Sequence, residues 1–316
     1  MTLRLIRRAS AALSPLLLLV ALAPPTFARA DGAPPAAAAA VNPQTDAARA
    51  WNFAASDIAV DPNIVFGVLP NGMKYALLRN TTPKDSVVMR LRFDVGSFAE
   101  ADDQRGLAHF LEHMAFNGST HVPEGEMVKL LERKGLAFGA DTNASTGFDE
   151  TIYKLDLPGA SDDLIDTGLM LMRETASELT IDPAAVDRER GVIQSERRAG
   201  DNYQRRNTLD HFAFLAPGMT IADRFPIGTE AVIRTATAAR IRDLYDRYYR
   251  PERATLVMVG DFDPAAVAAK IEARFSDWAG RGPAGLHPDI GTIDYARPSA
   301  ADDFVDPAVA DTGTLA

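Results

Sequence analysis

The sequence predicts an α+β fold, in which a mixed and largely antiparallel sheet is covered by helices. Between residues 64 and 278, strand and helix patterns follow one another without the regular alternation of a doubly wound sheet. Asn71-Gly72 separates two apolar runs, as in a tight hairpin that joins antiparallel strands. Hydrophobic residues make up 47% of the 316 residues, and the chain contains no cysteine. A buried core, and not disulfide bonds, must therefore stabilise the fold.

The strands are predicted from alternating side chains or from short apolar runs between turn residues. Ser86 to Val95 (SVVMRLRFDV) alternates and ends at Gly96, as a half-buried strand does. Residues 141–147 are polar and are predicted to form a loop. The predicted strands are residues 65–69, 73–78, 86–95, 138–140, 151–157 and 254–260.

The helices are predicted from apolar stripes at helical spacing and from signals at their ends. Gly135 suits a left-handed C-terminal cap, and Asp182-Pro183 suits an N-cap followed by the first helical position. The segment 201–233 is rich in polar and turn residues, which predicts an excursion loop or short helices. Besides the motif helix described below, helices are predicted at residues 123–134, 162–179, 183–199, 236–249 and 264–278.

The two ends of the chain differ from the rest. Residues 1–30 have a basic start, a short apolar run and a small-residue cleavage site near Ala30, which is typical of an export signal peptide. The apolar run is shorter than the roughly 20 residues that span a bilayer, so no stable membrane anchor is expected. We predict a linker at 31–55, a folded domain at 56–280 whose structure begins near Ile64, and a linker with the start of a truncated further domain at 281–316.

Residues 105–117 (RGLAHFLEHMAFN) contain side chains that could bind a metal and transfer a proton. On a helix, His109 and His113 lie one turn apart on one face, and Glu112 lies beside them. Two imidazoles and a carboxylate suit half of a zinc site together with a general base. A bare pair of histidines at this spacing is more often solvated, but Glu112 directly before the second one favours a metal site. The opposite face is apolar and carries Leu107, Phe110, Leu111 and Met114.

The remaining ligand must be a histidine or a carboxylate, because there is no cysteine. In the helix at 183–199, Glu189 and Glu196 lie two turns apart within the apolar side. That side is marked by Val186, Val192 and Ile193. Both carboxylates are predicted to face the core, where an unpaired charge is costly unless a metal or cations accompany it. A salt-bridged surface helix is the alternative, and spacing alone does not decide which glutamate would bind a metal.

Several motifs, taken in order, resemble the inverted-motif zinc peptidases, the family of pitrilysin, insulin-degrading enzyme and the mitochondrial processing peptidase. The resemblance covers roughly residues 64 to 278, and the residues that flank the motif are most similar to those of exported bacterial members of the PqqL type. The matching segments are His109 to His113 (HFLEH), Asn117-Gly118-Ser119, Asn143-Ala144, Glu189 to Glu196 (ERGVIQSE), Tyr249-Arg250-Pro251 and Val259-Gly260-Asp261.

The resemblance implies a zinc-dependent endopeptidase built as a single metallopeptidase half-domain. It implies one Zn²⁺ per chain, held by His109, His113 and Glu196. Glu112 would act as the general base on a zinc-bound water. Glu189 would support the site by contacting a ligand, although it stays open as the third ligand itself.

The resemblance also implies a peptide substrate and a second half. Asn143 and Ala144 would lie on an edge strand to which an extended peptide adds. Judged from the residues alone, without the resemblance, Asn143 is predicted to be a turn residue. Family members close a chamber from two related halves, so a second homologous half-domain or a partner chain is expected. The related members are periplasmic. The formal net charge of −10 disfavours nucleic acid as a partner. The histidines that match no motif, and are expected to be structural or at the surface, are His121, His211 and His287.

Two interpretations of other kinds remain open from the sequence. A catalytically silent subunit would bind zinc and serve as a binding or assembly module. An exported metal-scavenging protein would release its metal readily and would not depend on Glu112. The intact motif favours the peptidase over both.

Overall fold

The structure is a computed structural model that describes residues 51–137 and 139–296. It contains a six-stranded sheet with the strand order β1-β2-β6-β3-β5-β4. The strands are β1 (Ile64–Val68), β2 (Lys74–Arg79), β3 (Val87–Phe93), β4 (Thr142–Thr146), β5 (Thr151–Leu157) and β6 (Ala254–Gly260). Neighbouring strands are antiparallel except β2 and β6, which are parallel. The predicted α+β fold with a mixed, largely antiparallel sheet is confirmed.

The core lies on one face of the central strands. β6, β3 and β5 each alternate buried and half-buried residues along their length, because successive side chains of a strand point to opposite faces. Leu91 and Phe93 of β3 and Met258 of β6 are fully buried there. Gly72 has a φ of +93° in the turn between β1 and β2, a conformation that favours glycine. The predicted hairpin is therefore present.

The edge strand β4 corrects the sequence prediction. The residue pattern predicts a loop at 142–146 and a strand at 138–140, whereas the family resemblance implies an edge strand at Asn143 and Ala144, and the structure has that edge strand. Phe138 lies outside the described residues, while Gly139 and Ala140 form a turn in which the Gly139 N–H donates to the Thr142 carbonyl over 2.9 Å. β4 has the sequence TNAST, which lacks the apolar alternation by which strands are recognised. In the described residues it pairs with a strand on one side only.

Eight α-helices are found in the described ranges. They are α1 (Leu107–Met114), α2 (Glu126–Arg133), α3 (Asp162–Ser177), α4 (Pro183–Ala199), α5 (Tyr203–Leu215), α6 (Glu230–Thr235), α7 (Ala238–Tyr248) and α8 (Pro264–Phe275). α4 has the predicted bounds, and Asp182 caps it by accepting hydrogen bonds from the Ala184 and Ala185 N–H groups. The segment 201–233 forms helices, which was one of the two expectations for it.

α1 is held on several sides. It contacts α4, α6, α7 and β4. Its predicted apolar face is fully buried, and consists of Leu107, Phe110, Leu111 and Met114. A helix enclosed in this way has little freedom to turn or slide, so the residues on its other face are held in fixed positions.

Packed structure begins earlier than Ile64. The rings of Trp51 and Phe53 lie 4.9 and 4.7 Å from the ring of Phe66 on β1, in edge-on contacts. The predicted linker therefore ends in residues that pack against the sheet. The signal peptide, most of the linker and residues 297–316 lie outside the described residues. Within the described ranges, no helix has both the length and the apolar character needed to cross a membrane.

Candidate metal centre

A buried carboxylate holds the start of α1. Gly106 precedes the helix with a φ of +101°, and Glu100 accepts hydrogen bonds from the Gly106 N–H (2.8 Å) and the Ala108 N–H (2.7 Å). Burial raises the pKa of Glu100 to about 8, although these two N–H donors favour the charged form. Sequence analysis missed this residue. The available signal was a carboxylate shortly before a helix whose N-cap position is a glycine.

The two motif histidines and Glu112 share one face of α1. The ring centroids of His109 and His113 are 4.7 Å apart and their planes are nearly perpendicular. His109 is 9% exposed and Glu112 is 7% exposed. The face that carries the chemistry is thus nearly as buried as the apolar face, since α4 and β4 cover it.

α4 brings one of its glutamates to both rings. Glu196 Oε2 lies 3.7 Å from His109 Nε2 and 3.4 Å from His113 Nε2. The expectation that both glutamates face the core is wrong for Glu196, whose side chain is 50% exposed. Val192, taken as part of the apolar side, is 52% exposed. Ala185, Val186 and Ile193 anchor the helix instead, so its buried stripe is narrower than predicted, and Glu196 borders an open cleft.

The distances from Glu196 to the two rings are close to those that a tetrahedral ion requires. Ligand atoms bound to zinc at about 2.0–2.1 Å lie about 3.3–3.5 Å from one another. The observed separations of 3.4 and 3.7 Å from Glu196 to the two rings match this spacing. One atom from each of His109, His113 and Glu196 lies within 4.8 Å of the other two, which makes them a group that could hold a metal ion.

The two motif histidines differ in their protonation, and His109 is in the neutral form that a metal requires. Burial, together with the neighbouring His113 ring, lowers the pKa of His109 to about 4, so its imidazole is neutral at physiological pH. Burial likewise lowers the pKa of His113, but the hydrogen bond to Glu189 and the charges of Glu189, Glu112 and Glu196 outweigh it and raise that pKa. In the described part of the chain, His109 Nδ1 is buried without a hydrogen-bond partner.

Glu189 contacts the other nitrogen of the His113 ring. Its Oε1 lies 2.7 Å from His113 Nδ1, and its Oε2 accepts a hydrogen bond from Asn117 over 3.1 Å. Asn117 also donates to the main-chain carbonyl of His113. The hydrogen bond from His113 lowers the pKa of Glu189, against the effect of burial. An ionised carboxylate only accepts, so Nδ1 carries a proton, and Nε2 is the nitrogen that faces Glu196.

Glu112 faces a residue that the sequence did not single out. Its Oε2 accepts a hydrogen bond from the Thr146 hydroxyl at the end of β4. Burial raises the pKa of Glu112, and the nearby Glu196 adds to this, while Thr146, His113 and Lys154 act in the opposite direction. The sequence signal was faint, because Thr146 lay in a segment assigned to a loop.

An open cleft of about 530 Å³ contains the site. One wall is the edge strand β4, on which Asn143 is exposed and Ala144 is half-buried. The facing wall is an apolar turn, Phe225-Pro226-Ile227, which sequence analysis did not single out. Of the remaining histidines, His121 pairs with the buried Glu174 over 2.7 Å, and His211 and His287 line no part of this cleft.

Comparison with known proteins identifies the family. The family description "Insulinase (Peptidase family M16)" matches residues 75–215, and "Peptidase M16 inactive domain" matches residues 235–307. The chain is 38% identical over 221 residues to the "Probable zinc protease PqqL" of Haemophilus influenzae, and 35% identical over 222 residues to the Escherichia coli protein of that name. Each alignment covers 70% of this chain and 24% of the relative. The chain therefore spans about a quarter of the length of these relatives.

Solved structures agree with the sequence comparisons. The first half of the periplasmic protease PqqL from Escherichia coli superposes with a TM-score of 0.70 at 34% identity, over 74% of this chain and 50% of that one. Pitrilysin, at 19% identity and a TM-score of 0.61, has the same fold over 76% of this chain and 25% of its own. The relatives are named as zinc proteases, and His109, His113 and Glu196 form a group suited to that ion. The chain belongs to the insulinase family of peptidases, family M16.

Proposed function

We propose that this chain is the zinc-bearing part of an endopeptidase that hydrolyses peptides or small unfolded proteins. The convergence of the two ring nitrogens and Glu196 Oε2 within one coordination sphere supports this most directly. His109, His113 and Glu196 are the proposed ligands. Glu189 acts through His113, because it lies at Nδ1 and holds that ring in the tautomer that coordinates through Nε2.

Glu112 is the proposed general base. Bound zinc would lower the pKa of a coordinated water and polarise the peptide carbonyl. Glu112 lies on the same helix face as both histidines and lines the cleft, so its carboxylate is placed to accept the proton of the attacking water. It then delivers that proton to the leaving amine. Burial keeps the carboxylate away from bulk water, which strengthens its interactions with the reacting groups.

The outer edge of β4 is the proposed peptide-binding surface. β4 is the last strand in the order of the sheet, so one side of its main chain is free of a strand partner in the described residues. An extended peptide adds to such an edge through main-chain hydrogen bonds, which are largely independent of side-chain identity. Asn143 and Ala144 line the cleft beside the metal group. The peptide would therefore pass between β4 and the turn at 225–227.

The active enzyme is proposed to need a second half. This chain spans about a quarter of its curated relatives and half of the solved first half of PqqL. Further domains, in the same polypeptide or in a partner chain, would close the open cleft over the substrate. We place the protein in the periplasm, on the basis of the signal-peptide pattern in residues 1–30 and the periplasmic relative.

The test compares Glu112→Gln with Glu132→Gln, which changes an exposed carboxylate on α2. Each protein is assayed for bound zinc and for cleavage of an internally quenched peptide, alone and with the chain that supplies the second half. Glu112→Gln should retain zinc and lose cleavage by about 100-fold or more, whereas Glu132→Gln should match the wild type. Zinc bound by a wild type that cleaves no unfolded peptide with the second half present would instead support the binding-module interpretation.

A further inference from the structure

We propose that Thr146 is a positioning residue for hydrolysis, whose hydroxyl fixes the carboxylate of Glu112 and ties it to the strand that receives the peptide. This inference rests on the proposed function, because it assigns Glu112 the role of general base. Thr146 acts through Glu112 and contributes no ligand to the metal group.

The contact itself is direct. The Thr146 Oγ1 lies 2.5 Å from Glu112 Oε2. A carboxylate only accepts, so the hydroxyl donates its proton to Oε2 and leaves Oε1 for the water. Thr146 is half-buried, like Ala144 two positions earlier, whereas Asn143 and Ser145 are exposed. Alternation along a strand therefore turns Thr146 toward the covered side, where α1 contacts β4.

The packing of α1 fixes the backbone of Glu112, and the hydrogen bond from Thr146 adds a contact that fixes the carboxylate itself. The side chain has several rotatable bonds, and the nearby negative charge of Glu196 repels it while His113 attracts it. A general base must hold its geometry within about 0.5 Å and 10–20° for efficient proton transfer. Threonine suits this task, since its branched β-carbon restricts rotation about χ1 and thus fixes the direction of the hydroxyl.

The backbone at Thr146 is anchored on the side away from the cleft. Thr146 pairs with Thr151 of β5, and the Thr151 hydroxyl donates to the Val95 carbonyl. The next residue, Gly147, donates its N–H to Glu150 and accepts from the Ser97 N–H. The Thr146 hydroxyl therefore extends from an end of β4 whose backbone is held by hydrogen bonds, three residues from Asn143.

This arrangement links peptide binding to the alignment of the base. A peptide that adds to the outer edge of β4 orders the same strand that holds Glu112. Loss of the Thr146 hydroxyl should then reduce turnover without weakening peptide binding. A purely structural role would instead lower stability, zinc content or peptide affinity.

The test uses Thr146→Val, which keeps the branched shape but removes the hydroxyl, and Thr146→Ser, which keeps the hydroxyl. Thr167→Val is the control, since it removes a hydroxyl that donates to a main-chain carbonyl within α3. Five quantities are compared: kcat and KM for an internally quenched peptide with the second half present, zinc content, thermal midpoint, and anisotropy-based affinity of the chelator-treated chain for the uncleaved peptide.

Thr146→Val should lower kcat by about 10- to 100-fold with KM, zinc content, thermal midpoint and peptide affinity unchanged. Thr146→Ser should recover most of the loss, and Thr167→Val should match the wild type. Wild-type kcat in Thr146→Val, or a loss seen equally in KM, zinc or stability, would overturn this inference and leave the peptidase proposal standing. An inactive wild type would overturn both.

Discussion

Glu189 Oε1 lies 2.7 Å from His113 Nδ1, on the side of the ring opposite Glu196. The two glutamates of α4 therefore lie beside different nitrogens of the His113 ring, Glu189 beside Nδ1 and Glu196 beside Nε2. One is placed to share a metal with His113, and the other to hold the ring. This division leads to different expectations for removing each carboxylate.

Glu196→Gln should greatly weaken zinc binding. An amide oxygen is neutral, so the site loses a charged ligand, and the zinc affinity should fall by more than about 100-fold. The affinity is measured by competition with a chromophoric chelator, and Glu132→Gln serves as the control. Unchanged affinity in Glu196→Gln would remove this residue from the ligand set.

Glu189→Gln should have a smaller effect on the same measurement. The amide still reaches His113 Nδ1 and Asn117, but it no longer favours the Nδ1-protonated tautomer by charge. We expect zinc affinity to fall by about 10- to 100-fold, as for other partners of metal-bound histidines. A loss larger than that of Glu196→Gln would assign the third ligand to Glu189.

The stability of the protein relative to Glu100→Gln should fall as the pH rises. Burial raises the pKa of Glu100 from 4.5 to about 8, so between these values the unfolded chain is ionised while the folded chain holds the proton. The wild type thus loses up to about 1.4 kcal/mol per pH unit relative to the variant over this range. Above pH 8 the difference should be constant.

Urea unfolding of both proteins between pH 5 and pH 9 checks this, because the titrations of other groups cancel in the difference. A difference independent of pH would show that the hydrogen bonds from Gly106 and Ala108 keep Glu100 ionised throughout. Glu100→Ala should show the same pH dependence, because alanine also lacks the titrating group, with an added pH-independent cost of about 1–3 kcal/mol, since it leaves those buried N–H groups without an acceptor.

Gly228→Ala should destabilise the protein, whereas Gly191→Ala should not. A Cβ at Gly228 would lie 2.3 Å from the Cα of Gly106, so two main-chain segments would have to separate. We expect a loss of about 2 kcal/mol or more from this overpacking. Gly191 lies within α4, where a Cβ meets nothing within 4 Å, and alanine there should add about 0.5–1 kcal/mol. Thermal and urea unfolding measure both effects, and equal stabilities would contradict the packing argument.

The sequence was sufficient where one physical signal dominated. Asp182-Pro183 defined the start of α4, alternation located β3, and a short apolar run located β6. The side-chain pattern failed at β4, whose polar residues pair with a strand on one side only in the described residues, although the family resemblance implied an edge strand there. A strand at the edge of a sheet does not need an apolar face to form.

In the candidate site, the sequence likewise predicted some residues and missed others. Spacing placed His109, Glu112 and His113 on one face, since they belong to a single helix. The hydrogen bond from Thr146 to Glu112 crosses between separate segments, and no local pattern predicts it. The hydrogen bonds of Glu100 are local, and their only signal was a carboxylate shortly before a helix with a glycine at its N-cap position. Glu196 was expected in the core because a helical wheel gives direction but not the depth of the neighbouring cleft.

The position of β6 has a consequence for how the chain acquires its structure. Among the described residues β6 is the last strand in sequence, yet it lies between β2 and β3 and pairs with both. A chain that lacks the residues from Ala254 onward contains both histidines and Glu196, but its strands form two separate parts, β1-β2 and β3-β5-β4. Each part has an unpaired strand edge where β6 would lie. The sheet is therefore continuous only once β6 is in place, and until then each part exposes an unpaired strand edge through which chains can associate.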